Sequence, residues 1–223
     1  MRKIQVLITV VLLFAISGTT FSQMLSESAK RKVTVGADIY TDIWMNVPTN
    51  IDLRTINQGA NVFIMYNLQL AESNSSFAFG AGFSNHNMYG DFTIDNIKAD
   101  SIALTPIPST VSYKKSKMAY TSIDIPLELK LKTDKGFKFG LGFKLGWVIS
   151  SKTKYKGDID GVEHKTKDLG ISQMENFVYG ATARVGYKVV NLFCDYQISK
   201  VFQNGKGPDK LYPISIGLTI TPF

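Results

Sequence analysis

The sequence predicts an all-β fold, an eight-stranded antiparallel up-and-down transmembrane β-barrel. Three observations carry that expectation. Residues 122–149 form two arms of strict two-residue alternation about a T-D-K-G turn. Similar runs recur until eight can be counted. The connections between them alternate between short and mostly long. A strand places successive side chains on opposite faces, so alternation marks a ribbon with one apolar and one polar wall. In a membrane barrel the apolar wall faces lipid and the polar wall faces the lumen.

In the hairpin, Ile123, Ile125, Leu127, Leu129 and Leu131 oppose Ser122, Asp124, Glu128, Lys130 and Lys132. After the turn, Phe137, Phe139, Leu141, Phe143, Leu145, Trp147 and Ile149 oppose Lys138, Gly140, Gly142, Lys144 and Gly146. These are the fourth and fifth strands. The first has Val33, Val35, Ala37, Ile39, Ile43 and Met45 against Thr34, Gly36, Asp38, Asp42 and Trp44. The second sets Val62, Ile64, Tyr66, Leu68 and Leu70 against Asn61, Phe63, Asn67 and Gln69. Phe77, Phe79, Ala81 and Phe83 mark the third. The sixth carries Phe177, Tyr179, Ala181, Ala183, Val185 and Tyr187 on its apolar side and Arg184 on the other. In the seventh, Leu192, Cys194, Tyr196 and Ile198 oppose Asp195, Gln197 and Ser199. The eighth sets Tyr212, Ile214, Ile216, Leu218 and Ile220 against Ser215, Gly217, Thr219 and Thr221. Each run is near the ~10 residues that cross a bilayer at a tilt. Phe223 falls out of register with the apolar face, after Pro222, and is no proof of a barrel end.

Short connections fall at 71–76, 133–136 and 188–191; 47–59, 87–117, 151–176 and 202–210 are mostly long. Barrels inserted from the periplasm have short periplasmic turns and longer external loops.

Residues 1–22 have the pattern of a cleaved signal peptide. Arg2 and Lys3 precede an apolar stretch, Ile4 to Ile16, with Thr20 and Ser22 at the small-residue positions before a cut. The stretch is short for a bilayer span. Residues 23–223 are then the outer-membrane β-barrel domain. The formal charge of +7 becomes +5 once Arg2 and Lys3 are removed, and the charges are dispersed, which gives nucleic-acid binding no support. Hydrophobic content of 44% and mean hydropathy of +0.02 suit a barrel, where only alternate residues are apolar. With Cys194 the single cysteine, an internal disulfide or a cysteine metal cluster is excluded.

The polar wall carries Asp38, Asp42, Asp124, Glu128, Lys130, Lys138, Lys144, Arg184 and Asp195. Symmetric pairing about Asp134 sets Asp124 opposite Lys144, and pairing about Val189–Val190 sets Arg184 opposite Asp195. These charges make either an ion path or, as favoured here, a packed structural core, because an eight-stranded lumen is just wide enough for side chains to fill. His86 and His164 fall in or near expected external loops, and neither has a nucleophile motif or metal-ligand spacing. No catalytic, cofactor-binding or metal-ligating residue is assigned, and no enzyme activity or cofactor is expected.

The third loop holds Lys152, Lys154, Lys156, Lys165 and Lys167 among acidic residues. It reads as a solvated loop, or as a contact to lipopolysaccharide phosphates. The second loop is unusually apolar, with Ile102, Leu104, Pro106, Ile107 and Pro108; it folds over the barrel mouth or meets a partner.

The F-S-Q signal end, the I-D-I-P-L-E-L-K-L-K arm and the F-G-L-G-F-K-L-G return strand resemble the PorT-like outer-membrane β-barrel proteins of Bacteroidota. N-Q-G-A-N-V-F-I-M-Y-N and N-H-N-M-Y are in keeping with them. The resemblance implies an outer-membrane barrel and, through one member, a link to protein secretion; it carries over no site residue. The expected function is thus a non-enzymatic integral outer-membrane protein whose external loops bind a partner or support envelope or secretion assembly. Expected partners are outer-membrane lipid, lipopolysaccharide and another envelope or secretion protein. Two alternatives stay open: a narrow channel, and a secreted lipocalin-like barrel with its apolar wall turned inward. If the wall faces lipid, Leu141→Lys should harm assembly far more than Gly140→Ser.

Overall fold

The computed structural model describes residues 32–70, 73–94, 96–159 and 162–221. The expected signal peptide and Phe223 lie outside the described residues.

Eight long strands close into a ring. They are β1 (Val33–Met45), β2 (Gln58–Gln69), β3 (Ser75–Tyr89), β6 (Tyr113–Lys132), β7 (Phe137–Ile159), β9 (Phe177–Tyr187), β10 (Val190–Gln197) and β11 (Tyr212–Ile220). Three further elements decorate one end: β4 (Phe92–Thr93) pairs with β5 (Thr105–Pro106), and β8 (Val162–Leu169) extends β7. Every neighbour in the ring is antiparallel, and β1 pairs with both β2 and β11. The ring therefore has no free edge, which an isolated sheet in lipid would leave unsatisfied.

The register shows the stagger that closure demands. Val33 pairs with Tyr66, Tyr66 with Phe79, Phe79 with Leu127, and Leu127 with Phe143. The ladder continues through Ala181, Tyr196 and Ile214 and returns to β1 at Ile43, ten residues beyond its starting point at Val33. The strands are thus tilted, and each needs more residues to cross a given thickness.

The apolar wall faces outward. Leu141, Leu192 and Ile125 are exposed at 70%, 65% and 52%, while Asp38, Asp42 and Ser84 inside are fully buried. The inverted arrangement, with an apolar interior, is not adopted. Aromatic pairs sit at both ends of the outer wall: Trp147 with Phe177 at 5.5 Å, and Phe137 with Tyr187 at 5.2 Å. These amphipathic or large rings suit the two lipid–water boundaries.

The two ends of the barrel differ. Tight turns join β6 to β7 and β9 to β10. Gly136 and Lys188 adopt positive φ there, at 89° and 52°. At the opposite end the third expected loop is mostly strand. The segments 113–121 and 150–157 continue the β6–β7 ladder beyond the apolar belt, and β8 folds back along it. A bulge separates belt from extension: Thr121 pairs with Ser150 but Ser122 with Val148, which leaves Ile149 unopposed. The inserted residue flips the parity of β7. Trp147 and Ile149 face lipid below it, while Ser151 above it is buried.

Candidate functional site

The lumen and its two mouths are where this fold places its polar chemistry. Three layers fill it.

At the loop end lies an apolar plug. Trp44, Met88, Met118 and Tyr120 point inward from strand ends, and Ile102, Leu104, Ile171, Val201, Phe202 and Leu211 pack onto them from the loops. The apolar second loop thus folds over the mouth through Ile102 and Leu104. Its backbone is held there: Ile102 N–H donates to Lys206 O at 2.9 Å, and Ile107 N–H to Asp91 O at 2.6 Å. Trp44 donates its indole N–H to Asn87 O at 3.0 Å, so its polar edge is satisfied inside the plug.

Below the plug sits a buried ionic layer. Asp42 accepts from Ser215 Oγ at 2.6 Å and from the backbone N–H of Asn87 at 3.2 Å, and contacts His86 Nδ1 at 3.1 Å. His86 is stacked on Tyr120, with ring centroids 4.9 Å apart. Tyr120 in turn donates its hydroxyl to Gln197 Oε1 at 2.7 Å. Lys144 pairs with Asp195 and lies 3.9 Å from Asp124, which also accepts from Ser122 at 2.6 Å and from Ser84. Further toward the turns, Arg184 donates to Asp38 at 2.9 Å and to Glu128. Its guanidinium is sandwiched between the rings of Phe63 and Phe193, 4.8 and 4.7 Å from their centroids. Thr219 and Asn61 complete the shell of Asp38, at 2.6 and 2.8 Å.

Glycine makes this layer possible. A Cβ on Gly140 would come within 2.5 Å of Glu128 Oε1, and one on Gly146 within 2.4 Å of Asp124 Oδ1. The charged side chains lie flat across the opposing strand where it has no side chain of its own.

The structure corrects the expected register, although the expected ion pair between Asp124 and Lys144 does form, at 3.9 Å. Asp124 lies opposite Gly146 and Lys144 opposite Pro126, because the β6–β7 hairpin is centred on Lys135, one residue beyond the expected centre. Asp195 lies opposite Thr182 and Arg184 opposite Phe193. Asp195 is held by Lys144, and Arg184 reaches across the lumen to β1 and β6. These contacts join strands that are not neighbours, so no ladder register could reveal them.

At the turn end a cavity of about 720 Å³ opens, lined by Thr34, Asn67, Lys130, Lys138, Asn191 and Thr221 among others. Lys130 donates to Thr34 and Asn67, each at 3.1 Å. The Arg184 cluster closes its floor.

The chemistry of the two histidines also becomes clear. His86 is a buried β3 residue within the lumen, not a loop residue, and His164 sits exposed on β8. A nucleophilic relay requires a serine that donates to the imidazole. Here Ser84 donates to Asp124 and Ser215 to Asp42, so neither of these two hydroxyls is directed at His86. Among the described residues, no group of three or more His, Cys, Asp or Glu is arranged to hold a metal.

The sequence was compared with families of known domains. The outer membrane protein beta-barrel domain matches residues 8–203. The chain belongs to this family. Strand β11 lies beyond the matched range and supplies the closing partner for both β10 and β1. No curated protein matches the chain. The barrel family and the outward apolar belt agree: this is an integral outer-membrane barrel.

Proposed function

We propose that the protein is a sealed, non-enzymatic outer-membrane anchor, whose loop-end structure faces outward to bind a partner in envelope or secretion assembly. It reads as a PorT-like barrel, exported with residues 1–22 as its leader. The observation that carries the proposal is the blocked lumen. A solute entering at the turn end meets the Arg184–Asp38–Glu128 cluster, then the Lys144 and Asp42 clusters, then the Trp44–Phe202 plug. Every layer is built from buried side chains that pair with one another, with Asn61 Oδ1 and Asp195 Oδ1 the buried atoms left without a hydrogen bond among the described residues, so opening a path would strand charges in a low-dielectric interior. The stabilised object is the sheet that rises above the belt, and a rigid base suits a docking surface better than a pore.

The deciding measurement is conductance. Purified full-length protein in planar bilayers should give no steady single-channel current at neutral pH. A reproducible unitary conductance would overturn the anchor reading in favour of a narrow channel. Cross-linking in intact outer membranes, followed by mass spectrometry, should then place a partner's peptides on the loops or the β6–β7–β8 extension.

A further inference from the structure

We infer that the outward face of the β6–β7–β8 extension binds phosphorylated lipid headgroups of the membrane leaflet at the loop end. The inference rests on the membrane-anchored reading and adds a ligand class to it.

The basis is register. Lys165, Lys156 and Lys115 are direct cross-strand partners in one row of the extension. Lys167, Lys154 and Lys117 form the next row, and Lys117 pairs onward with Tyr89 of β3. Lys152 follows, between Leu169 and Ala119. Direct partners on antiparallel strands share a face, so all seven lysines lie on one side of the sheet. On β6 that side continues the lipid-facing series of Ile123 and Ile125 without a break. The other side carries Met118, Thr153 and Tyr155 and turns toward the plug. The acidic row Asp158–Glu163 follows Lys156–Lys165 in the register, so the uncompensated repulsion lies in the row of Lys167, Lys154 and Lys117; like charges directly opposite one another destabilise a sheet, and an anion against that row would offset the cost.

Position selects the anion. Ile149 is the last lipid-facing residue of β7, and Lys152 stands three residues further along. At ~3.3 Å per residue that is about 10 Å of strand, or somewhat less height after tilt. The polar layer of a bilayer adds roughly 5–7 Å on each side of the hydrocarbon core. The amines of Lys152, Lys154 and Lys117 therefore fall within side-chain reach of headgroup phosphates. Neighbouring strands are about 4.8 Å apart and alternate residues roughly 7 Å, so amines from two strands can contact one phosphate group. Among the described residues, Lys117, Lys152, Lys154 and Lys167 form no ion pair. Tyr89 gathers a further cation at the edge of the face: Arg54 stands 5.6 Å from its ring centroid, beside Lys115 at 5.4 Å and Lys117 at 5.1 Å. The Lys117 ammonium, which donates to Asn87 Oδ1, is pushed down to about 8 chiefly by burial and then by the charges of Lys115, Lys152 and Lys154.

The test uses full-length protein in neutral micelles, with retained lipid counted by native mass spectrometry. The probes are monophosphorylated lipid A and the same lipid with its phosphate removed. The phosphorylated form should be held at least tenfold more tightly. Replacing Lys117, Lys152, Lys154 and Lys167 by Gln should abolish that preference, whereas the same change at Lys132, Lys135, Lys138 and Lys188 near the turns should leave it intact. Heat-modifiable mobility reports whether each variant is folded, and the comparison of the two lipids needs no variant at all. Equal retention of both lipids, or undiminished retention by the folded loop-end variant, overturns the inference. So does displacement by millimolar inorganic phosphate, which would mark a general anion site. The anchor reading fails on conductance instead, so the two can be separated.

Discussion

Replacing Arg184 by Met tests whether the lumen is a packed core. Arg184 is buried and is the cation shared by Asp38 and Glu128; it also bonds Thr219 Oγ1 through Nε at 3.2 Å. Methionine fills much of its volume and keeps contact with Phe63 and Phe193, so the loss is chiefly electrostatic. Asp38 keeps Thr219 and Asn61 as donors, but Glu128 loses its cation within a buried layer. Breaking a buried pair from one side costs about 3–5 kcal/mol. That is a large share of the ~5–15 kcal/mol by which a domain is stable. The assay is equilibrium guanidinium unfolding in phospholipid vesicles, followed by tryptophan fluorescence and gel mobility. The midpoint should fall with the slope unchanged. Adding Asp38→Asn and Glu128→Gln to the variant should recover most of the loss, because no stranded charge remains. A loss below about 1 kcal/mol for Arg184→Met alone would refute the reasoning: the carboxylates would then be hydrated in place, and the lumen would be a water path.

On the outer wall, Leu141→Lys should destabilise the barrel by about 2–4 kcal/mol, against ~0.5 kcal/mol or less for Ser76→Ala in the turn-end cavity; equal effects would sink the lipid-facing assignment. Gly140→Ser is a poor comparison for it, since the Glu128 carboxylate occupies the space a Cβ would need. The two tryptophans report orientation: brominated lipid should quench exposed Trp147 in a Trp44→Phe variant and leave buried Trp44 bright in a Trp147→Phe variant, and the reverse pattern would contradict the fold. Lys117 has its folded-state value lowered to about 8 from 10.5, so the unfolded chain binds more protons between those values and stability should rise as pH climbs through that window. Lys117→Met should flatten the rise in thermal stability between pH 8 and 10, and an unchanged pH profile would refute the burial of Lys117 beside the other cations of this face.

The sequence made the barrel legible because lipid enforces alternation along the belt. Leu141, Phe143 and Leu145 must all point outward, and no soluble core imposes so long a period. Eight strands and the inward placement of Asp38, Glu128 and Arg184 followed from parity alone. Of the ion partners only Asp124 with Lys144 did, and diagonally; the others did not, for two reasons. One is that a hairpin centred on Lys135 instead of Asp134 moves every partner on β7 by two residues. The other is that Arg184 selects partners across the lumen, a matter of barrel diameter and side-chain reach. The β7–β8 extension was hidden by composition. K-T-K-Y-K at 152–156 and K-T-K-D at 165–168 alternate with period two, but Lys faces Thr, Tyr or Asp, with no apolar residue to announce a strand. Reading Lys against Thr as two faces would have found it.

The packed lumen also resolves an ambiguity that the lipid face creates. A slip of one residue turns every apolar side chain inward and is forbidden. A slip of two returns the apolar series to lipid, so the bilayer barely distinguishes it from the native register. Tight turns fix the register of β9 against β10, where Lys188 adopts positive φ. No such turn joins β7 to β9, which meet only after the β8 excursion. There the discriminating contacts lie inside. In the native register Arg184 lies opposite Gly140, with Glu128 reaching over that glycine from β6 and Asp38 approaching from β1. A shift of β9 by two residues would bring Thr182 or Gly186 to that position and leave both carboxylates buried without a cation. The ionic layer is thus costly to build and costly to misplace, and the second property gives the barrel a reason to keep charges at its centre.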